Sequence, residues 1–265
     1  MTDKPEKEWF AEWFNHPLYL KVYSHRNDDE AKSCLETIIS KTGLESFEPS
    51  DITVMDIACG AGRHALELAR QGFKTTANDL SPFLLECTRS QADRENISIE
   101  CTREDMRHIT AVNRYDLVVQ LFSSFGYFKT KGEDLQVLEN VYRSLKKGGW
   151  YILDLMNPVY LKKNLIPTSS RNIEGLNVSE QRSIESNRVI KQITIRSSDE
   201  SISFEESVTL YSLKTMKDML QSTGFIIDRI IGDYTGSAYH TETSPRMMIF
   251  AKKKESKRNC VQSEQ

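Results

Sequence analysis

The chain has 265 residues, a formal net charge of −3 and a sequence pI near 6.0. Its 38% hydrophobic and 28% charged residues are typical of a globular protein with a core, and no run is apolar enough for a membrane helix. The acidic balance excludes a global basic field for nucleic acid. Five scattered cysteines without C-x-x-C spacing disfavour a disulfide framework or a zinc site, so we expect a cytoplasmic location and no bound metal.

The N-terminal segment is rich in aromatic residues and shows helical patterning over residues 6–42. Asn27 or Asp28 is a suitable N-cap for an amphipathic helix in the second half of this segment, and Gly43 is a suitable end. We therefore predict an N-terminal helical cover over residues 1–45.

Strands and helices alternate in the middle of the chain. The predicted strands are DITVMDIAC, FKTTANDL, ISIECTRED, YDLVVQLFSS and WYILDLMN. The predicted helices are RHALELARQG, SPFLLECTRSQAD and EDLQVLENVYRSLKKGG. Ser81 is a candidate N-cap of the second helix, and Gly148 and Gly149 are expected to end the third. This alternation predicts a parallel sheet with helices on both faces.

The pattern changes after Pro158. Three β-like runs, NVSEQRSI, RVIKQITIRSS and SISFEESVTLYS, predict a small antiparallel insertion at about residues 170–211. The helix LKTMKDMLQSTG, ended by Gly224, and the strands FIIDRIIGDY and PRMMIFAKK complete a domain over residues 46–253. The basic run KKKESKR leads into a polar tail at residues 254–265. We predict a solvated terminus there, with an RNA- or membrane-surface segment as the alternative.

A glycine motif follows the first predicted strand. Residues 60–65, GAGRHA, fit the pattern G-x-G-x-x-A, in which glycines let a ligand approach the backbone and the next helix offers free N–H groups. Asp79, at the end of the second strand, is suited to binding both ribose hydroxyls. Asp56 lies four residues before Gly60, where it would repel a nicotinamide pyrophosphate but attract an ammonium group. S-adenosylmethionine carries an ammonium group and a sulfonium centre but no phosphate.

The stretch VMDIACGAGRHALELARQGFKTTANDLSPFLL resembles the first two motifs of the class I S-adenosylmethionine-dependent methyltransferases. The resemblance covers about residues 50–253 and implies a Rossmann-like, doubly wound sheet of seven mostly parallel strands with an antiparallel C-terminal strand. It also implies that S-adenosylmethionine is the cofactor. The residues assigned to that cofactor are Asp56, Ala58, Gly60, Gly62, Arg63, Asp79, Leu80, Asp105, Met106 and Leu121.

Some of these assignments have alternatives. By the resemblance Asp105 binds near the adenine ring, with Met106 packed on it, but Asp105 is equally placed to cap a short helix, MRHIT. In related methyltransferases an N-terminal helical segment folds over the cofactor. Here Tyr23 and Arg26, with Tyr19, would clamp the methionine carboxylate and close the pocket. The alternative is an ordinary helix that packs on the sheet.

The segment LFSSFGYF joins small hydroxyls to aromatic rings just after the fourth predicted strand. It predicts an acceptor wall formed by Ser123, Ser124, Phe125 and Tyr127, or else an aromatic loop packed on the core. The segment lacks the N-P-P-Y or D-P-P-Y signature that grips the amino group of a flipped base. Methylation of base amino groups in nucleic acid is therefore disfavoured.

Methyl transfer is an in-line displacement that mainly requires alignment, and it needs a base only if the nucleophile must lose a proton. The candidate catalytic side chains are His64, Tyr127 and His240. His240 lies in a long loop between the last two strands, which also carries Tyr234, Tyr239 and Arg246 and is a candidate for the rim of the site. This chemistry demands no metal.

The sequence therefore predicts an S-adenosylmethionine-dependent methyltransferase that acts on a small-molecule acceptor. One alternative is a nicotinamide-dependent oxidoreductase. A second is a cofactor-binding, non-enzymatic or regulatory homologue, and a third is an RNA- or protein-modifying enzyme that uses the basic tail. The sequence shows no strong nucleic-acid or membrane signal, and no signal for an oligomeric state.

Overall fold

A computed structural model describes residues 8–24, 28–198 and 200–254. Its α-helices are α1 Trp9–Trp13, α2 Leu18–Val22, α3 Asp28–Thr42, α4 Arg63–Arg70, α5 Pro82–Glu95, α6 Lys131–Ser144, α7 Pro158–Asn164 and α8 Leu213–Thr223. Its strands are β1 Thr53–Ile57, β2 Lys74–Asn78, β3 Glu100–Thr102, β4 Tyr115–Gln120, β5 Leu145–Met156, β6 Thr168–Ile173, β7 Leu176–Glu185, β8 Arg188–Arg196, β9 Ser201–Thr209, β10 Phe225–Ile231 and β11 Arg246–Lys253. Across these ranges no helix is both long and apolar enough to cross a membrane.

Seven strands form the central sheet, in the order β10-β11-β5-β4-β1-β2-β3. Strands β1 to β5 pair in parallel, whereas β11 runs antiparallel to both β5 and β10. This arrangement confirms the predicted seven-stranded, mostly parallel sheet and its reversed C-terminal hairpin. Consecutive side chains of β1 point to opposite faces of the sheet, so they pack into two different hydrophobic cores. Met55 lies in a core with α6 and α8, whereas Val54 lies in a core with α3 and α4.

Helix ends in the chain follow the predicted caps at several positions. The Ser81 hydroxyl accepts a hydrogen bond of 3.2 Å from the N–H of Leu84 at the start of α5. Gly43 and Gly224 follow α3 and α8 in the left-handed conformation, with φ of 72° and 105°. The other predicted cap of α3, Asn27, lies outside the described residues.

Two boundaries were predicted wrongly, and two elements were missed. Helix α6 ends at Ser144, not at Gly148 and Gly149, which lie inside β5. A Cβ on Gly149 would lie 2.9 Å from the carbonyl oxygen of Lys146, so this glycine serves the irregular pairing of β4 with β5 rather than a helix end. The missed elements are α7, whose first turn is capped by the Asn157 side chain, and β6, whose polar sequence TSSRNI pairs with β7 at a sheet edge.

The second sheet is antiparallel, in the order β6-β7-β8-β9. Its apolar side chains pack on the N-terminal helices, with Trp13 of α1 buried against Ile193 of β8. Arg188 of β8 donates hydrogen bonds to the carbonyl oxygens of Phe128, at 2.9 Å, and Tyr127, at 3.1 Å. This sheet therefore contacts both the N-terminal helices and the loop that follows β4. The division of the chain into a cover, a domain and a tail stays a prediction.

A buried carboxylate connects α6 to the segment before α8. Asp134 is almost fully buried and accepts a hydrogen bond of 2.7 Å from the hydroxyl of Tyr211. Burial raises the pKa of Asp134 from 3.8 to about 6, although the Tyr211 hydrogen bond lowers it. The folded chain consequently binds this proton more tightly than the unfolded chain does.

The free energy of unfolding should therefore fall as the pH rises from 3.8 to about 6, because the unfolded chain releases the Asp134 proton first. We expect Asp134→Asn to remove this part of the pH dependence, on the order of 1–3 kcal/mol. Urea unfolding curves across this pH range measure it. Asp218→Asn, on the exposed face of α8, is the control and should keep the wild-type slope. The same slope in Asp134→Asn would contradict the assignment.

Candidate functional site

The carboxyl ends of β1 and β4 meet at the point where the strand order reverses, which is where ligands bind in doubly wound sheets. Three neighbouring cavities open there, and Ala58, directly after β1, lines all of them. We name them by their walls. The glycine-loop cavity has about 410 Å³, the Asp79 cavity about 50 Å³ and the aromatic cavity about 260 Å³. Ala58 has a left-handed backbone, with φ of 55°, and this turns the chain out of the sheet at the junction.

The two glycines of the motif have different structural roles. Gly60 lines the glycine-loop cavity with φ of 61°, and a Cβ there would meet no atom of the described chain within 4 Å. The space beside Gly60 is thus available for close approach of a ligand to the backbone. Gly62, with φ of 84°, is needed for packing instead, because a Cβ would lie 2.6 Å from Cγ2 of Thr88 on α5.

Asp79 braces the glycine loop from the end of β2. Its carboxylate accepts hydrogen bonds of 2.8 Å from the N–H of Gly60 and from the N–H of Ser81. Burial raises the pKa of Asp79, while these backbone N–H groups act in the opposite direction. Asp79 also lines the Asp79 cavity beside Leu80, so it joins the loop to that cavity.

Asp56 forms the buried end of the glycine-loop cavity. The side chain is almost fully buried, and its Oδ2 has no hydrogen-bond partner among the described residues. Burial, and then the charge of Asp79, raises the pKa of Asp56 to about 8. A carboxyl group in this setting favours a cationic partner, because a cation would restore the charged form that burial disfavours.

Three further predicted residues line the glycine-loop cavity. Arg63 begins α4, where its guanidinium lies 4.3 Å from the ring centre of Phe122 and 3.2 Å from Glu30. His64 is buried beside it. Tyr23 also lines the cavity, and its hydroxyl donates a 2.5 Å hydrogen bond to Glu206 of β9. Arg26 lies outside the described residues, so the predicted clamp remains a prediction.

The Asp79 cavity is mostly apolar, and Leu80, Asp105 and Met106 line it as the sequence places them. The carboxylate of Asp105 accepts a 2.8 Å hydrogen bond from the N–H of Arg107 and pairs with the Arg107 guanidinium at 2.6 Å. The capping alternative for Asp105 is therefore present in the structure. The sequence reasoning missed Phe10 and Phe14, which also line this cavity from the N-terminal helices.

The aromatic cavity receives part of the predicted acceptor wall. Ser123, Ser124 and Tyr127 line it, together with Leu121, which borders the glycine-loop cavity as well. Phe125 does not line it, because its ring is buried in the core with its centre 5.8 Å from that of Tyr211. The prediction for Phe125 as an acceptor contact is thus not supported by its position, and the packing alternative describes this residue.

His240 lies away from the three cavities, and it lines none of them. Its N–H donates a 2.8 Å hydrogen bond to the hydroxyl of Ser244 within the loop before β11. Arg246, at the end of the same loop, does line the aromatic cavity. The loop therefore reaches the site through Arg246 rather than through the histidine.

The sequence reasoning missed two charged residues of the aromatic cavity, Lys191 of β8 and Glu206 of β9. They are directly opposite each other in the antiparallel register, and their side chains form an ion pair of 2.8 Å. In the sequence, Lys191 and Glu206 are only two charged positions in separate β-like runs. Because pairing register decides which residues face each other, the strands alone could not identify the pair.

Comparisons with known proteins identify a methyltransferase domain in this chain. A family model described as a methyltransferase domain matches residues 54–149. A protein of Geobacillus sp. (strain WCH70) with a provisional methyltransferase name is 24% identical over 261 residues, which cover 93% of this chain and 99% of that protein. Residues 54–149 therefore carry a methyltransferase domain, and the comparisons support a class I S-adenosylmethionine-dependent methyltransferase.

Solved methyltransferase structures show the same fold. An S-adenosylmethionine-dependent methyltransferase of Clostridium acetobutylicum ATCC 824 has a TM-score of 0.76 at 18% identity, with 91% of this chain and 98% of that chain covered. The amino pentose methyltransferase CalS10 of Micromonospora echinaspora, with S-adenosylmethionine bound, has a TM-score of 0.65 at 17% identity. The match covers 90% of this chain and 97% of CalS10. The comparisons support S-adenosylmethionine as the cofactor, and they do not support the oxidoreductase alternative.

A buried ion pair shapes the loop of the methyltransferase that follows β4. Asp154 of β5 contacts Arg246 through two hydrogen bonds, of 2.9 Å and 2.8 Å. The same carboxylate accepts hydrogen bonds of 2.9 Å from the N–H of Phe122 and from the hydroxyl of Tyr234, and Arg246 donates one of 2.8 Å to the Ser123 hydroxyl. Phe122 and Ser123 are both left-handed, with φ of 58° and 62°, a strained pair that these bonds hold in place.

We expect Asp154→Asn to destabilise the methyltransferase by about 3–5 kcal/mol, because it leaves the Arg246 charge buried without its counter-ion. Urea unfolding at neutral pH measures the loss. Glu242→Gln is the matched control, since Glu242 pairs with Lys163 on the exposed side of the same loop and should change stability by about 0–1 kcal/mol. Equal, small effects in both variants would show that the buried pair does not hold the loop.

Proposed function

We propose that this methyltransferase transfers the methyl group of S-adenosylmethionine to a small-molecule acceptor bound in the aromatic cavity. The observation that carries the proposal is the junction at Ala58, where all three cavities meet. A ligand with a charged amino-acid end, a nucleoside end and a reactive centre between them matches two cavities of different polarity joined at one point. The third cavity then lies beside the reactive centre.

The residues that line two of the cavities support placing the amino-acid end of the cofactor in the glycine-loop cavity and its nucleoside end in the Asp79 cavity. In the glycine-loop cavity, Asp56 would pair with the ammonium group of the cofactor and Arg63 with its carboxylate. In the Asp79 cavity, Asp79 would bind the ribose while Leu80 and Met106 pack against the adenine. When bound, S-adenosylmethionine supplies a methyl group on a positively charged sulfur. The chain holds the two reactants in line at the junction and excludes water from it.

The walls of the aromatic cavity favour a small acceptor. Most of the wall residues come from the N-terminal helices, from strands β8 and β9 of the second sheet and from the loop after β4, and the central sheet adds Met156, Arg246 and, directly after β1, Ala58. A volume of about 260 Å³ bounded by rigid elements admits a metabolite-sized molecule. The name of CalS10 assigns that relative to an amino pentose, which is of similar size. Residues 255–265 of the predicted tail lie outside the described residues, so the structure adds no support for a nucleic-acid substrate.

We expect Asp79→Ala to weaken binding of S-adenosylhomocysteine by about 1–3 kcal/mol, because charge-assisted hydrogen bonds are lost. Calorimetric titration of the purified protein measures the affinity, and Asp218→Ala, which removes an exposed carboxylate on α8, is the control.

In thermal unfolding, S-adenosylhomocysteine should raise the melting temperature and NAD(P) should not. A shift with NAD(P) alone would overturn the proposed function. Release of S-adenosylhomocysteine from a pooled metabolite screen separates an enzyme from a non-catalytic homologue.

The elevated pKa of Asp56, about 8, predicts a pH dependence of cofactor binding. Below that pH the Asp56 carboxyl group is protonated and must release its proton to pair with the ammonium group of the ligand. The affinity for S-adenosylhomocysteine should therefore fall by up to roughly tenfold for each pH unit below about 8. Calorimetry in buffers of different ionisation enthalpy measures the proton release directly. Asp56→Asn should bind more weakly and lose both the slope and the proton release. A slope that persists in Asp56→Asn would assign the titration to another group.

A further inference from the structure

Five aromatic rings form a continuous row along the wall of the aromatic cavity. Neighbouring rings lie at centre-to-centre distances of 5.0 Å, 5.1 Å, 5.4 Å and 4.9 Å along this row. In order, they belong to Tyr23, Tyr19, Phe14, Trp9 and Tyr127, and each of these residues lines the cavity. Four of the five come from the short helices α1 and α2 and the residues that directly follow each of them. The faces and edges of such rings provide a site at which a cation is stabilised without an opposite charge.

The charged groups of this cavity are already balanced. Lys191 pairs with Glu206, and Arg246 pairs with Asp154 behind the wall. The carboxylate of Glu206 accepts further hydrogen bonds from the Tyr23 hydroxyl, at 2.5 Å, and from the indole N–H of Trp13, at 2.8 Å. The Lys191 ammonium also lies 4.7 Å from the centre of the Tyr23 ring, so that end of the row already holds a cation. Since the charged pairs cancel, the rings of Tyr19, Trp9 and Tyr127 are the means by which the rest of the wall distinguishes a positive ligand from a neutral one.

The same lining separates two classes of methyl acceptor. A hydroxyl group must lose its proton to a base as it attacks, whereas a neutral amine attacks with its lone pair and needs no base. The described residues that line the aromatic cavity include no histidine, and the carboxylate of Glu206 is occupied by Lys191 and Tyr23. A wall of aromatic rings whose described residues include no histidine, and whose Glu206 carboxylate is already paired, suits an acceptor that becomes cationic as it reacts.

We infer that the methyl acceptor is a small amine whose nitrogen lies against this row of rings, an inference that rests on the proposed function. The lone pair of the neutral amine forms the new bond to the methyl carbon, and the electrons of the breaking carbon–sulfur bond remain on sulfur. The positive charge thereby moves from sulfur to nitrogen. The product leaves the cavity as a methylated ammonium ion and loses its proton, where it has one, to water.

The test uses choline as a quaternary ammonium probe and 3,3-dimethylbutan-1-ol as its neutral counterpart of the same shape. Each is titrated into the full chain saturated with S-adenosylhomocysteine, with binding followed by calorimetry. We expect choline to bind at least about tenfold more tightly than the alcohol. Equal affinity for the two probes, or no choline binding to the saturated protein, overturns the inference.

Variants locate the effect. Trp9→Leu should reduce choline affinity by about tenfold and leave S-adenosylhomocysteine affinity within about twofold, because Trp9 lines the aromatic cavity but neither of the other two. Trp9→Phe, which keeps an aromatic ring, should retain the preference for choline. Phe47→Leu is the control for loss of a ring, since the Phe47 side chain is exposed and lines none of the three cavities. Unchanged choline binding in Trp9→Leu overturns the inference.

A matched pair of acceptor pools separates this inference from the proposed function. Primary and secondary amines are compared with the corresponding alcohols, and S-adenosylhomocysteine release is measured. Turnover of the amines alone supports the inference. Turnover of the alcohols alone overturns it and leaves the proposed function intact. Failure of S-adenosylhomocysteine to bind the wild-type protein at all overturns the proposed function itself.

Discussion

The ion pair between Asp154 and Arg246 connects the loop after β4 to two paired strands of the central sheet. Asp154 lies on β5 and Arg246 begins β11. Their hydrogen bonds reach the backbone N–H of Phe122 and the hydroxyl of Ser123 in that loop. Two consecutive left-handed residues cost energy, so this loop needs such support. With the loop in place, Phe122 borders both the glycine-loop cavity and the aromatic cavity. The proposed site of methyl transfer lies where these two cavities meet.

The second sheet contacts the 126–128 turn and the N-terminal helices, and it thereby forms part of the aromatic cavity. Arg188 of β8 holds the backbone of the 126–128 turn, and Arg171 of β6 donates a 2.8 Å hydrogen bond to the carbonyl oxygen of Val22 at the end of α2. Glu206 of β9 then holds Tyr23 in the wall of the aromatic cavity. The parallel sheet therefore positions the glycine loop and Asp79, whereas the antiparallel sheet adds Lys191 and Glu206 to the aromatic cavity, and Tyr23 and Leu121 line both that cavity and the glycine-loop cavity.

Single residues show where sequence reasoning reached the structure and where it did not. Asp56 and Asp79 lie beside the glycine loop, where the sequence predicted them, because Asp56 is near the end of β1 and Asp79 directly follows β2. Phe125 was assigned to the acceptor wall but points into the core, since a loop with two left-handed residues does not alternate as a strand does. Gly149 was read as a helix end, although its role is close approach between β4 and β5.

The sequence by itself determined the alternating strands and helices of the parallel sheet and the glycine loop, because periodicity, caps and a short motif are local properties. The resemblance to class I methyltransferases implied the antiparallel C-terminal strand. Only the tertiary structure decided the walls of the aromatic cavity. Trp9, Tyr127, Lys191 and Glu206 are distant in the chain, and they meet through the pairing register of β8 with β9 and the packing of α1 on that sheet. Register and packing depend on contacts between distant segments, and no local pattern in one sequence encodes them.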